Sequence, residues 1–156
     1  MGAQAGKLIN VATSADMEAL GRSFTADCPT AARIYLQGDL GAGKTTWVRG
    51  FLQGLQYTGI VKSPTYTLVE TYHVYGQTIH HLDLYRIHNP GELESIGVRD
   101  YLDGTGICLV EWPEKGGTLL GEPDLMVQIR IKGQCREVFL QPSSTTGRLL
   151  LRGIKL

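Results

Sequence analysis

The chain has 156 residues, 42 % of them apolar and 19 % charged, with 15 bases against 15 acids. That is the length of a single domain, able to bury about 70 % of the surface its unfolded chain exposes. The balanced charge and a mean hydropathy of −0.07 exclude a disordered chain and a strongly basic nucleic-acid binder.

Charge is nonetheless uneven. Residues 70–124 hold ten acids and three bases, whereas residues 125–156 hold six bases and one acid, Glu137. The basic tail is either a partner-facing surface or an ordinary solvated one. The cysteines are Cys28, Cys108 and Cys135, with no C-x-x-C pair, which excludes a disulfide framework or a zinc site. No apolar run approaches the ~18 residues of a membrane span. The opening Met1-Gly2-Ala3-Gln4-Ala5-Gly6-Lys7 lacks the apolar core of a signal peptide, so the cytoplasm is the expected location.

In chain order, Leu8–Val11 reads as a short strand. Thr13, followed three residues later by Asp16, opens a helix to about Ala26. Arg33–Gln37 is a strand running into a Gly-rich turn. A helix follows from about Lys44 to Leu55, with Trp47, Phe51 and Leu55 repeating every four residues and Val48 and Leu52 beside them. Residues 66–85 form a hairpin turning at Gly76. Pro90–Ile96 starts a short helix with acids in its first turn. Ile107–Val110 is a buried strand, and Leu125–Ile131 and Glu137–Leu140 flank Gly133 as a second hairpin. The tail from Ser143 is read as helical. Strands interleaved with helices give an α/β layered fold, and the hairpins mix antiparallel strands into its sheet. One domain over 1–156 is expected.

The informative segment is Gly38-Asp39-Leu40-Gly41-Ala42-Gly43-Lys44-Thr45-Thr46, which satisfies G-x-x-x-x-G-K-[ST]. Composition gives roughly 0.01 chance matches in a chain of this length. Glycines let successive N–H groups turn toward one anion, and the helix N-terminus adds partial positive charge. Lys44 neutralises phosphate oxygens. Thr45 offers a hydroxyl to Mg²⁺, which prefers oxygen ligands and keeps several waters. The expected ligand is a nucleoside triphosphate with magnesium.

Hydrolysis further needs a carboxylate near the metal and a group that orients the attacking water. Glu111 ends the apolar run Ile107-Cys108-Leu109-Val110 and is the favoured metal ligand. Asp83 ends Thr78–Leu82 and is assigned a metal-bound water or the nucleophile. An ordinary strand-end acid is the plain alternative for either. Thr65, within Lys62-Ser63-Pro64-Thr65-Tyr66-Thr67, is the candidate switch residue for the γ-phosphate, against a simple turn. His80 and His81 point to opposite faces of a strand, so they are read as packing or hydrogen-bonding groups rather than a metal pair. Trp112 either flanks the site or packs in the core. The tyrosines at 66, 72, 75 and 85 resemble a stacking surface, although strands are rich in aromatics anyway.

Four motifs occur together: G-D-L-G-A-G-K-T-T at 38–46, S-P-T-Y-T at 63–67, H-L-D-L-Y-R at 81–86 and E-W-P-E at 111–114. Over about residues 8–140 they resemble the TsaE (YjeE) family, the bacterial ATPases required for tRNA threonylcarbamoyladenosine biosynthesis. The resemblance implies a three-layer P-loop NTPase-like fold with a mixed parallel and antiparallel sheet. It implies ATP and Mg²⁺ as cofactors and weak hydrolysis by the protein alone. The implied partners are TsaD and TsaB, with tRNA met only through that assembly and neither membrane nor DNA involved. Threonylcarbamoyl transfer itself belongs to TsaD.

Carried onto this chain, Gly38, Asp39, Leu40, Gly41, Ala42, Gly43, Lys44, Thr45 and Thr46 cradle the nucleotide. Thr45 and Glu111 hold magnesium. Lys44, Asp83, Glu111 and Thr65 serve catalysis. Trp112 lies near the nucleotide or partner face, and Thr13 and Ser14 near adenine. Cys135 stands before Arg136 where the family pattern is expected to carry glycine, so no base contact is assigned to that turn.

Three other classes compete. A small-molecule kinase would need an Arg-bearing lid, and no such segment is visible. A GTP switch would need N-K-x-D, which is absent from the chain. A nucleotide-gated adaptor without significant turnover would use the same residues as a slow ATPase.

Overall fold

Side-chain alternation along the central strands dictates a layered arrangement. In the computed structural model, which describes residues 6–154, Ile34 and Leu36 enter one apolar core while Tyr35 between them enters another. Ile107 and Leu109 likewise face the first core, and Cys108 and Val110 the second. A strand apolar on both faces must be covered on both faces.

The seven strands are β1 (Lys7–Val11), β2 (Ala32–Gln37), β3 (Val69–Val74), β4 (Gln77–Asp83), β5 (Ile107–Glu111), β6 (Leu125–Lys132) and β7 (Cys135–Pro142). They form one sheet in the order β1-β7-β6-β2-β5-β4-β3. The four central strands, β6, β2, β5 and β4, are parallel; β7 is antiparallel to β6, β1 to β7, and β3 to β4. The first core carries α1 (Ser14–Ser23), α2 (Lys44–Gly54) and α5 (Thr145–Leu151). The second carries α3 (Glu92–Ser95), α4 (Val98–Tyr101) and a kinked 3₁₀ segment over Pro113–Leu120. The fold is the expected three-layer P-loop NTPase-like α/β arrangement with a mixed sheet.

The elements follow the sequence pattern, with shifted ends. The Thr13 side chain caps α1 by accepting from the Asp16 N–H at 3.1 Å, but the helix stops at Ser23 rather than Ala26. The first hairpin turns at Tyr75-Gly76, both with positive φ (48° and 79°). This is the combination a two-residue turn requires to match strand twist. Its first arm starts at Val69, because Leu68 adopts φ 69° and breaks the extended run. The tail helix is present as α5, capped by Ser144. The opening residues 1–5 and Lys155 of the basic tail lie outside the described residues.

Glycine decides one packing contact. A Cβ on Gly21 would lie 2.1 Å from the Trp47 carbonyl oxygen, and one on Gly50 would lie 2.0 Å from that of Glu18. The two glycines let α1 and α2 cross backbone to backbone, which fixes the start of α1 beside the start of α2. Trp47 and Phe51 of α2 are wholly buried beneath this crossing, with Phe24 against Trp47.

Candidate functional site

The Gly-rich loop joins β2 to α2 at the carboxyl ends of the parallel strands, where open α/β sheets bind ligands. Gly41 (φ 77°) and Gly43 (φ 112°) occupy left-handed backbone, so the loop curls in a way that residues with a Cβ resist. Gly43 caps α2 without a side-chain bond. Among the described residues, no protein acceptor takes the N–H groups of Gly43, Lys44, Thr45 or Thr46. Four free amides at a helix N-terminus are an anion site.

Lys44 is buried and folds back over the loop. Its ammonium donates to the Gly38 carbonyl and, at 3.0 Å, to that of Asp39. It also lies 4.2 Å from the centre of the Trp112 ring. Burial lowers its pKa, while the carboxylates of Glu111, Asp83, Glu114 and Asp39 work in the opposite direction. Leu40, at the loop tip, is 63 % exposed.

Parallel pairing brings the two strand-end acids together. Asp83 of β4 is in register with Glu111 of β5, and alternation puts both on the α2 face. Both are buried. The Thr45 hydroxyl donates to Glu111 Oε2 at 2.9 Å. Asp83 Oδ2 accepts from the Ser63 hydroxyl at 2.7 Å and the Thr65 hydroxyl at 3.1 Å. Its other oxygen accepts the Tyr85 N–H at 2.9 Å. Thr65 is therefore held against Asp83, across a cleft of about 300 Å³ that also borders Lys44, Thr45, Glu111 and Trp112.

Trp112 flanks this cleft and is not part of the sealed core. Its φ of 60° is a strained backbone state for a bulky residue, adopted where β5 ends and Pro113 begins the 3₁₀ segment. Tyr85 packs on its ring at 5.2 Å. Thr13 and Ser14 lie on the opposite side of the loop. With Met17, Thr46, Gln134 and Arg136 they line a second, smaller cleft.

The four tyrosines do not form one surface. Tyr72 turns inward onto Tyr57 at 4.9 Å, whereas Tyr66 is 84 % exposed with the Arg86 guanidinium over its ring. His80 and His81 face opposite sides as expected. His80 meets the Thr71 hydroxyl at 2.9 Å and packs on Tyr101.

Three residues outside the expected catalytic and binding set join the site. His81 is completely buried and its Nε2 lies 2.6 Å from Glu111 Oε2. Two-residue spacing from Asp83 on one strand was the available signal for it. Ser63 stands beside Thr65 on Asp83. Arg136 reaches the Gly-rich loop from β7, a contact that no local pattern announces.

The donor set suits magnesium. Around the loop it is all oxygen: the Thr45 hydroxyl and the Glu111 and Asp83 carboxylates. Among the described residues, no group of three or more His, Cys, Asp or Glu is poised to hold a metal unaided.

Fold, loop and paired carboxylates define a P-loop NTPase-like protein of the α/β class. A family model described as threonylcarbamoyl adenosine biosynthesis protein TsaE matches residues 11–138. The chain belongs to the TsaE family. It is 50 % identical to the tRNA threonylcarbamoyladenosine biosynthesis protein TsaE of Haemophilus influenzae over 121 residues, which are 78 % of this chain and 77 % of that protein. The protein of the same name from Bacillus subtilis is 42 % identical over 100 residues, 64 % of this chain and 62 % of its own length. The crystal structure of Bacillus subtilis YdiB superposes with a TM-score of 0.80 at 27 % identity, covering 95 % of this chain and 93 % of that one.

Proposed function

We propose that this protein is a P-loop ATPase of the tRNA threonylcarbamoyladenosine pathway, cytoplasmic, and slow by itself. TsaD and TsaB are its partners and quicken its turnover; tRNA is met through that assembly. Family membership supports the pathway. The chemistry rests on one observation: free helix amides, Lys44, the Thr45 hydroxyl and two buried carboxylates converge on one cleft.

Each residue has a physical task. The amides of 43–46 and the Lys44 ammonium hold the β- and γ-phosphates. Lys44 must leave the Gly38 and Asp39 carbonyls to do so. Thr45 and Glu111 would hold Mg²⁺, which when bound neutralises phosphate charge. Asp83 keeps the nucleophilic water in line. Thr65 leaves or keeps its Asp83 bond according to the γ-phosphate, so the 63–67 segment reports nucleotide state to a partner. Trp112 closes the cleft over Lys44.

The decisive experiment is ATP hydrolysis by the purified protein, alone and with TsaD, TsaB and tRNA, with wild type beside Glu111→Ala. Stimulation by the partners that is lost in the variant is the expected result. Tight ATP binding with no turnover in any mixture would make the protein a nucleotide-gated adaptor instead.

A further inference from the structure

We propose that Arg136 is a positioning residue for the phosphate loop, holding the Gly41 and Ala42 peptide planes from behind so that the Gly43 N–H faces the anion. This rests on the phosphate-binding reading above and extends it to a residue on a distant hairpin.

Arg136 lies near the start of β7, on the edge-side half of the sheet. Its Nε donates to the Ala42 carbonyl at 3.1 Å and its Nη2 to the Gly41 carbonyl at 3.2 Å. Its Nη1 donates to the neighbouring Cys135 carbonyl at 3.0 Å. The ion pairs among the described residues do not include Arg136. Three of its five N–H donors are thus committed to backbone carbonyls, two of them on successive loop peptides. A planar guanidinium is suited to that, since its N–H groups sit in a fixed fork.

The consequence follows from peptide geometry. In a trans peptide the C=O and N–H point in opposite directions. Capturing the Gly41 and Ala42 carbonyls aims the N–H groups of Ala42 and Gly43 away from Arg136. The Ala42 N–H meets the Asp39 carbonyl at 3.0 Å, and that of Gly43 is free among the described residues. The loop needs such a brace, because Gly41 and Gly43 have little torsional preference of their own. A Cβ on Gly41 would meet nothing within 4 Å, so that side of the residue faces open space.

The competing role is direct contact with a nucleoside, since Arg136 also lines the cleft with Thr13 and Ser14. Inorganic triphosphate separates the two, because it has phosphates and no nucleoside. The test is calorimetric binding of Mg-ATP and Mg-triphosphate to wild type, Arg136→Met and Arg136→Lys, with the thermal midpoint of each protein. Arg136→Met is expected to weaken both ligands by the same factor, about tenfold. Arg136→Lys keeps the charge without the fork and is expected to weaken both severalfold. If Arg136→Met does not fold, the Arg136→Lys pair of affinities carries the same comparison.

Weaker ATP binding with unchanged triphosphate binding would overturn the proposal in favour of nucleoside contact. Unchanged affinity for both ligands, or full affinity in Arg136→Lys, would also overturn it. Wild type that binds neither ligand would instead defeat the phosphate-binding reading itself.

Discussion

The Gly-rich loop separates two clefts of opposite character. The one on the α1 side, lined by Thr13, Ser14, Met17, Thr46 and Arg136, contains no acid among the described residues. The one on the β4–β5 side contains Asp83 and Glu111, both buried. An acid-free wall tolerates the uncharged end of a nucleotide. An acid-lined wall repels phosphate unless a cation intervenes. On the proposed function, the groups that hold phosphate and the acids that serve the reaction share the β4–β5 cleft, the α1-side cleft is left for the uncharged end of the nucleotide, and the two meet at the N-terminus of α2.

The largest effect should come from the residue common to both tasks. Lys44→Ala removes the buried cation from the loop, and ATP affinity should fall about 100-fold by calorimetry. Retained affinity would show that the amides alone suffice.

Next come the acids of the reactive wall. Glu111→Gln and Asp83→Asn should bind ATP nearly as wild type but lower the partner-stimulated rate about 100-fold. The reading is a turnover assay beside a binding assay. Normal hydrolysis by both variants would erase the division between the clefts.

A smaller effect tests the support behind Glu111. Removing the 2.6 Å His81 contact by His81→Leu should cost about tenfold in turnover, typical of groups that orient a ligand side chain. His81→Gln, which can still present an N–H at that place, should recover most of it. Equal losses in both variants would mean that His81 merely fills space.

The smallest concerns the acid-free wall. Thr13→Ala deletes the α1 cap, at about 1 kcal/mol, and should lower the thermal midpoint by roughly 3 °C. If this wall takes the nucleoside, ATP affinity should also fall severalfold while inorganic triphosphate affinity stays put.

Much of this was legible in the chain. The loop motif is contiguous, so its glycines, Lys44 and Thr45 are adjacent in sequence and in space. The strand-end position of Glu111 follows from an apolar run that stops at an acid, and that of Asp83 from the hairpin arm Thr78–Leu82 that stops at one. The opposite facing of His80 and His81 follows from the two-residue period of a strand. Boundaries were less legible. Leu68 at positive φ, the early end of α1 and the 3₁₀ segment after Trp112 are closed by bonds that no apolar period marks: the Leu68 N–H to the Pro64 carbonyl, the Ser23 and Thr25 hydroxyls to the Leu20 and Arg22 carbonyls, and the Lys115 N–H to the Trp112 carbonyl.

Short-range spacing and period in the chain carry the class of fold, the G-x-x-x-x-G-K-[ST] motif and the TsaE resemblance. The tertiary structure alone decided which distant groups meet. Parallel pairing of β4 with β5 put Asp83 level with Glu111 and left His81 against the Glu111 carboxylate. The β6–β7 hairpin delivered Arg136 to the loop. The close crossing of α1 and α2 at Gly21 and Gly50 set Thr13 beside the loop. The physical reason is the same in all three: register and close packing are long-range choices, fixed by which faces must be buried together.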